Sequence, residues 1–253
     1  MRIALCFSGQ PRFINEVSSS ILNNVIGKNN VDVFAHFWFD ATLQKEPYKY
    51  GGDGGWVNQR ISESAIYDFK RIYDPKLLKI DENKKFKNQY LVDTYQESVE
   101  RYKRGSINNP LEPDFYRRDI NNVISYYYSL NQVGLLKSEY EYSNDFKYDI
   151  VIKMRTDTIV NSQISFDIIE ENSLYYSDNM NQPDGMINDW LNYGNSNVMS
   201  IFMSSFQFLD SLISDAKMQT GGAWCCELIH KKMLDTYNIK PKPCNINLAL
   251  PRF

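Results

Sequence analysis

Arg155-Thr156-Asp157 sets one fixed cation and one fixed anion two residues apart, directly after the apolar run Ile150 to Met154. An Asp in that place can hold a divalent cation, and an Arg beside it can hold a phosphate or orient the Asp. The same tripeptide also reads as a surface turn with a salt-bridged Arg, and the residues alone leave both readings open. A second candidate is Ser8-Gly9-Gln10-Pro11-Arg12. Gly9 permits a close backbone approach, and backbone N–H groups with an Arg fork suit a pyrophosphate or a nucleotide base. The stretch matches neither the dinucleotide nor the P-loop fingerprint, and an ordinary strand-to-helix turn has the same composition. His36 and His230 have no partner at ligand spacing, which excludes a multi-His metal site. His36 lies in an apolar run and reads as a satisfied core histidine. No G-x-S-x-G elbow supports Ser-His-Asp hydrolysis.

The elements that must position these residues follow from periodicity. Arg2 to Phe7 and Val31 to Phe39 read as buried strands, and Val17, Ile21, Leu22 and Val25 between them have helical spacing. Strand, polar turn, helix and strand make a βαβ unit, which predicts an α/β fold with a parallel sheet. Ile150 to Met154 is rich in Ile and Val without Gly or Pro, as in a strand buried on both faces. In such sheets ligands sit beyond the carboxyl ends of the strands, where both candidate stretches fall. Further expectations are a helix from Ser62 to Ile72 and a strand from Lys76 to Ile80. A long helix from Arg117 to Tyr142 carries Val123, Ile124, Tyr127, Leu130, Val133, Leu135 and Leu136 largely at three- and four-residue spacing. Strands are expected at Ser173 to Tyr176 and around Asn197 to Phe202, helices near Ser205 to Ala216 and Trp224 to Tyr237, and an extended tail from Pro243. The glycine-rich stretch within 41–60 and the polar stretch 81–116 read as a lid-like loop and an insertion. Nothing divides the 253 residues into two domains.

Composition removes several classes of function. Lys+Arg 28 against Asp+Glu 31 gives a net charge of -3 without a basic block, so nucleic acid is not the expected partner. Cys6, Cys225, Cys226 and Cys244 lack zinc-like spacing and read as reduced thiols of a reducing, cytoplasmic compartment. No apolar run approaches the roughly 20 residues of a membrane span.

Taken in order, SGQPR after a first strand, VDVFAHFW, the helix SYYYSLNQVGLL and YDIVIKMRTD resemble a known family. It is the GT-A-like glycosyltransferases of bacterial surface-polysaccharide clusters and large DNA viruses. The resemblance runs from Met1 to about Asp157 and extends more loosely to Asp189, Gly194 and Glu227. It implies a single GT-A-like (Rossmann-like) α/β domain with a mostly parallel central sheet flanked by helices. Residues 1–157 would form the nucleotide-sugar half and 158–253 the acceptor half. It also implies transfer of a hexose or pentose from a nucleotide diphosphate sugar to a glycan acceptor. In that family the strand before the crevice ends in a D-x-D motif that binds Mn²⁺ or Mg²⁺ against the donor's phosphates. Here the motif reads R-T-D. Asp157 would keep the metal or sugar role, and Arg155 would supply part of the positive charge. Ser8, Gly9, Gln10 and Arg12 would lie near the nucleotide, and Tyr128, Asn131 or Gln132 would offer one polar contact from the long helix. An inverting transferase needs a carboxylate base. Glu227 has that place in chain order, with Asp189 as rival and Asp184 behind it, although each also reads as a helix-terminus or turn carboxylate. Trp190 and Trp224 are candidates for stacking on sugar rings. The alternatives are a sugar-phosphate nucleotidyltransferase and a non-catalytic nucleotide- or glycan-binding module.

Overall fold

The computed structural model describes residues 1–27, 29–40, 60–82, 86, 120–166, 169–178, 186–214 and 226–251. Most of the expected loop and insertion, and Asp184, Gly221, Gly222, Trp224 and Cys225, lie outside the described residues. Nine strands are described: β1 (Ile3–Gly9), β2 (Val31–Trp38), β3 (Leu77–Asp81), β4 (Ile150–Met154), β5 (Ile159–Val160), β6 (Ser173–Ser177), β7 (Leu191–Gly194), β8 (Lys240–Cys244) and β9 (Leu248–Ala249). The described α-helices are α1 (Ile14–Ile21), α2 (Ala65–Tyr73), α3 (Ile120–Ser143), α4 (Ser196–Met203), α5 (Leu209–Ser214) and α6 (Cys226–Thr236).

Seven strands form one sheet in the order β3-β2-β1-β4-β7-β6-β8. All run parallel except β7, which is antiparallel to both β4 and β6. The expected α/β architecture, with a mostly parallel central sheet flanked by helices, is the observed one. Period-2 alternation assigns the two faces. Ile3, Leu5 and Phe7 of β1 pack with Ile14, Val17 and Ile21 of α1 and with Phe69 and Tyr73 of α2. Ala4 and Cys6 point the other way, among Val123, Tyr127 and Leu130 of α3, Phe202 of α4 and Met233 of α6. Burying one such aliphatic or aromatic side chain contributes about 1.5–3 kcal/mol, so these two apolar layers set where the helices lie.

The chain crosses from β1 through α1 to β2 and from β2 through α2 to β3, moving outward on one side of β1. It then returns along α3 on the opposite face and enters β4 on the other side of β1. The sheet therefore has its topological switch point between β1 and β4, where a crevice opens at their carboxyl ends. Strands from 1–157 and from 158–253 belong to the same sheet.

One expectation is corrected. The strand expected around Asn197 to Phe202 is helix α4, and the strand belongs to Leu191–Gly194 just before it. A short apolar run does not distinguish a buried strand from a buried helix. Here Asn195 decides, because its side chain caps the helix by accepting from the Val198 N–H at 2.9 Å. The tail, expected to be extended from Pro243, contains the end of β8, which starts at Lys240, and β9. Pro241 and Pro243 are tolerated there because β8 is the edge of the sheet. No described helix is long and apolar enough to cross a membrane.

Candidate functional site

β1 and β4 are paired in register up to Phe7 and Met154, so the turns that follow them leave the sheet side by side. They are also tied together. The Thr156 hydroxyl donates to the Gln10 carbonyl at 2.8 Å and accepts from the Arg12 N–H at 3.1 Å. The Gln10 side chain turns back on Arg12, its Oε1 accepting from Arg12 Nε at 2.9 Å and from Nη2. Residues 144 positions apart in the chain thereby share one corner of the crevice.

Arg155 is the centre of that corner. Its Nε and Nη2 donate to Oδ1 and Oδ2 of Asp157, each at 2.8 Å, a two-pronged pairing that fixes the guanidinium plane. Its Nη1 lies 3.3 Å from Asp189 Oδ2, and Arg12 Nη1 lies 3.9 Å from Asp157 Oδ2. Asp189 arrives because β7 runs antiparallel to β4, with Leu191 opposite Met154. The residues just before β7 must therefore sit beside those just after β4. The Arg155 N–H confirms the register by donating to the Trp190 carbonyl at 3.0 Å. The side chains of Asp157, Arg155 and Asp189 are 5%, 15% and 16% exposed.

Burial pushes the Asp157 carboxyl up, but Arg155 and then Arg12 more than reverse this, so the group lies below the usual carboxylate range. Asp189 follows the same pattern: burial raises it, while Arg155 and then Lys153 bring it below its ordinary value. Lys153 is fully buried in β4. Its Nζ donates to the Asp189 carbonyl and lies 4.9 Å from the centre of the Tyr126 ring. Burial lowers its ammonium to about 8, against the attraction of Asp189 and Glu227. Behind it, His230 Nδ1–H donates to the Ile187 carbonyl at 3.2 Å, so Nε2 accepts from the Tyr126 hydroxyl at 3.1 Å. That histidine is neutral, held by burial and by Lys153 at about 3.

Glu227 stands in the first turn of α6, and its carbonyl accepts from the Ile187 N–H at 3.2 Å. Its helix packs on the α3 face of the sheet through Ile229, Met233 and Leu234.

The SGQPR turn differs in part from expectation. The Gly9 N–H donates to Ser129 Oγ at 2.7 Å, and the Arg12 N–H is engaged with Gln10 and Thr156. Those two amides hold the fold together and do not form an anion cradle. Gly9 adopts φ +110, a conformation that favours glycine, and a Cβ there would meet nothing within 4 Å. Next to it, Ser8 is 6% exposed and its Oγ has no hydrogen-bond partner. A buried hydroxyl without a partner is costly and is satisfied when a ligand or water reaches it.

The polar residues of α3 face elsewhere. Tyr128 donates to Asp81 at 3.0 Å, Gln132 accepts from Lys79 at 2.7 Å, and Asn131 accepts from Gln207 at 3.4 Å. None of these contacts reaches the Arg12–Arg155 corner. His36 is the satisfied core histidine expected, bonded to Ser129 Oγ at 2.8 Å and donating to Asp81 at 3.1 Å.

The sequence alone gives no site role to Lys153, Tyr126, Thr156 or His230. The one available signal was Lys153, a lone charge in an otherwise apolar strand. A metal fits the corner poorly. Both Asp157 oxygens are in the Arg155 fork, the Thr156 hydroxyl is committed, and no group of three or more His, Cys, Asp and Glu among the described residues is arranged to hold an ion. No protein-family model matches the chain, and no curated protein is significantly similar to it.

Proposed function

We propose that this protein is a GT-A-like glycosyltransferase that moves a hexose or pentose from a nucleotide diphosphate sugar to a hydroxyl of a glycan acceptor. One observation carries the reading. Arg12, Arg155, Asp157 and Asp189, drawn from three distant segments, converge at the carboxyl ends of β1 and β4, the switch point of the sheet, and Ser8 is the penultimate residue of β1. Arginines held there by Asp157, Asp189 and Gln10 suit a diphosphate, whose charged oxygens a guanidinium fork matches.

In the proposed reaction the bond between the sugar's anomeric carbon and the diphosphate oxygen breaks, and its electron pair leaves with the diphosphate. Arg12 and Arg155 stabilise the charge that develops there. Asp157 holds the Arg155 plane, and Ser8 Oγ offers a hydrogen bond to the donor. The acceptor oxygen forms the new bond to the anomeric carbon. For an inverting enzyme its proton passes to a carboxylate, Glu227 first and Asp189 second. Of the two, Asp189 is tied to Arg155, which favours Glu227.

The test is incubation with a panel of nucleotide diphosphate sugars and glycan acceptors, with release of nucleoside diphosphate as readout. Turnover of one donor supports the proposal. Absence of release with every donor, together with absence of nucleotide binding by calorimetry, overturns it. A second reading, a nucleotide-binding module without turnover, is favoured by the ion-paired state of Asp157 and Asp189. Binding of a nucleoside diphosphate without release from any donor would select it.

A further inference from the structure

We infer that the donor's diphosphate is bound and neutralised by the guanidinium groups of Arg12 and Arg155 without a divalent cation. The inference rests on the proposed nucleotide-sugar reading of the site. An Mn²⁺ or Mg²⁺ site at this position needs carboxylate oxygens open to the ion, because these cations take oxygen ligands in octahedral array. Asp157 offers none. Its two oxygens receive Nε and Nη2 of Arg155 at 2.8 Å each, and its side chain is 5% exposed. A dication at Asp189 would share that carboxylate with the Arg155 guanidinium, whose Nη1 stands 3.3 Å from Oδ2. A further oxygen of this corner, the Thr156 hydroxyl, donates to Gln10 and accepts from Arg12. The cationic element at the end of β4 is thus already built in, and it is an arginine.

The carboxylates take a different role from metal ligation. Asp157 and Asp189 grip one guanidinium from two sides and hold it in place before the ligand arrives. Gln10 does the same for Arg12 through Nε and Nη2. Charges fixed in advance near a leaving group need no reorganisation as it departs. The absence of an acidic residue at position 155 is then the functional signature of the site, because the first carboxylate of a D-x-D pair is replaced by the cation that such a pair would recruit.

The experiment is calorimetric titration of the whole chain with UDP, GDP, ADP, dTDP and CDP, once in EDTA and once in Mn²⁺ or Mg²⁺. The expected result is one nucleoside diphosphate bound with dissociation constants that agree within about threefold between the two buffers. Arg155→Lys should weaken that binding tenfold or more in both, since an ammonium cannot reproduce the fork. Mn²⁺ titrated alone and followed by electron paramagnetic resonance should show no site that is lost in Asp157→Asn. Binding that improves tenfold or more with the cation, or an Asp157-dependent Mn²⁺ site, overturns the inference and leaves the glycosyltransferase reading standing. Binding of none of the five in either buffer overturns the nucleotide-sugar reading itself, and this inference with it. The EDTA comparison uses wild-type protein, so it decides the matter even if Arg155→Lys does not fold.

Discussion

Replacing Arg155 by Met tests whether the corner at the end of β4 is held together by one guanidinium. The substitution removes both 2.8 Å bonds to Asp157 and the 3.3 Å contact to Asp189, leaving Arg12 3.9 Å from Asp157. Removing one partner of a buried ion pair costs about 3–5 kcal/mol, because the remaining charge stays desolvated. In the wild type the folded Asp157 carboxyl lies below its ordinary value. Its stabilisation is therefore present above the unfolded pKa of about 3.9 and disappears as pH falls through the folded value. In Arg155→Met, burial acts without its main opponent and the folded carboxyl rises above the ordinary value. The carboxylate then costs stability as pH rises past about 4. The gap between the two proteins should be widest near pH 7 and should narrow as pH falls below about 4 toward the lowered folded value of the wild type, below which both carboxyls are protonated. With a urea slope of about 2–3 kcal/mol/M, the midpoint at pH 7 should fall by about 1–2.5 M. Urea melts at pH 7 and at the lowest pH where both proteins fold measure it. A loss below about 1 kcal/mol at pH 7, or an equal loss at both pH values, would refute the reasoning.

Three other outcomes follow from the same structure. Ser8→Ala removes a hydroxyl that has no partner, so the urea midpoint should stay within the effect of about 0.5 kcal/mol, while nucleoside diphosphate affinity falls severalfold. Glu227→Gln should lower turnover by about 10²–10⁴ with nucleotide affinity preserved, and unchanged turnover would pass the base role to Asp189. Lys137→Met should cost about 3–5 kcal/mol in urea. It strips the fully buried Glu141 of its 2.9 Å partner and leaves Ser196 and Ser200 without the Nζ donor they share. A cost below about 1 kcal/mol would show that the cluster adds nothing to stability.

How far the sequence reveals the site depends on which pairings are local. β1, β2 and β4 are legible because β-branched apolar runs end abruptly at polar turns, and α3 because its apolar residues keep helical spacing. The Arg155–Asp157 pairing is local, two residues apart, so both its salt-bridge reading and its site reading follow from the sequence. The approach of Asp189 is not local. It requires β7 to run antiparallel beside β4, and four residues, Leu191–Gly194, carry too little pattern to announce a strand or its direction. The apolar run of α4 drew the strand assignment to itself for the same reason. The use of the Gly9 amide by Ser129 was equally hidden, since it depends on how α3 settles against β1 from 120 residues away. Lys153 stood out only as an exception to a buried strand, and its place beneath Asp189 and Tyr126 emerges from packing.

The central claim is that the crevice between the ends of β1 and β4 binds the diphosphate of a nucleotide-sugar, and a crystal structure of the protein with its nucleoside diphosphate tests it most directly. The account predicts the diphosphate within hydrogen-bonding distance of the Arg12 and Arg155 guanidinium groups, with Ser8 Oγ engaged. A nucleotide seated at any other surface, with the Arg155–Asp157–Asp189 cluster undisturbed and untouched, would contradict it.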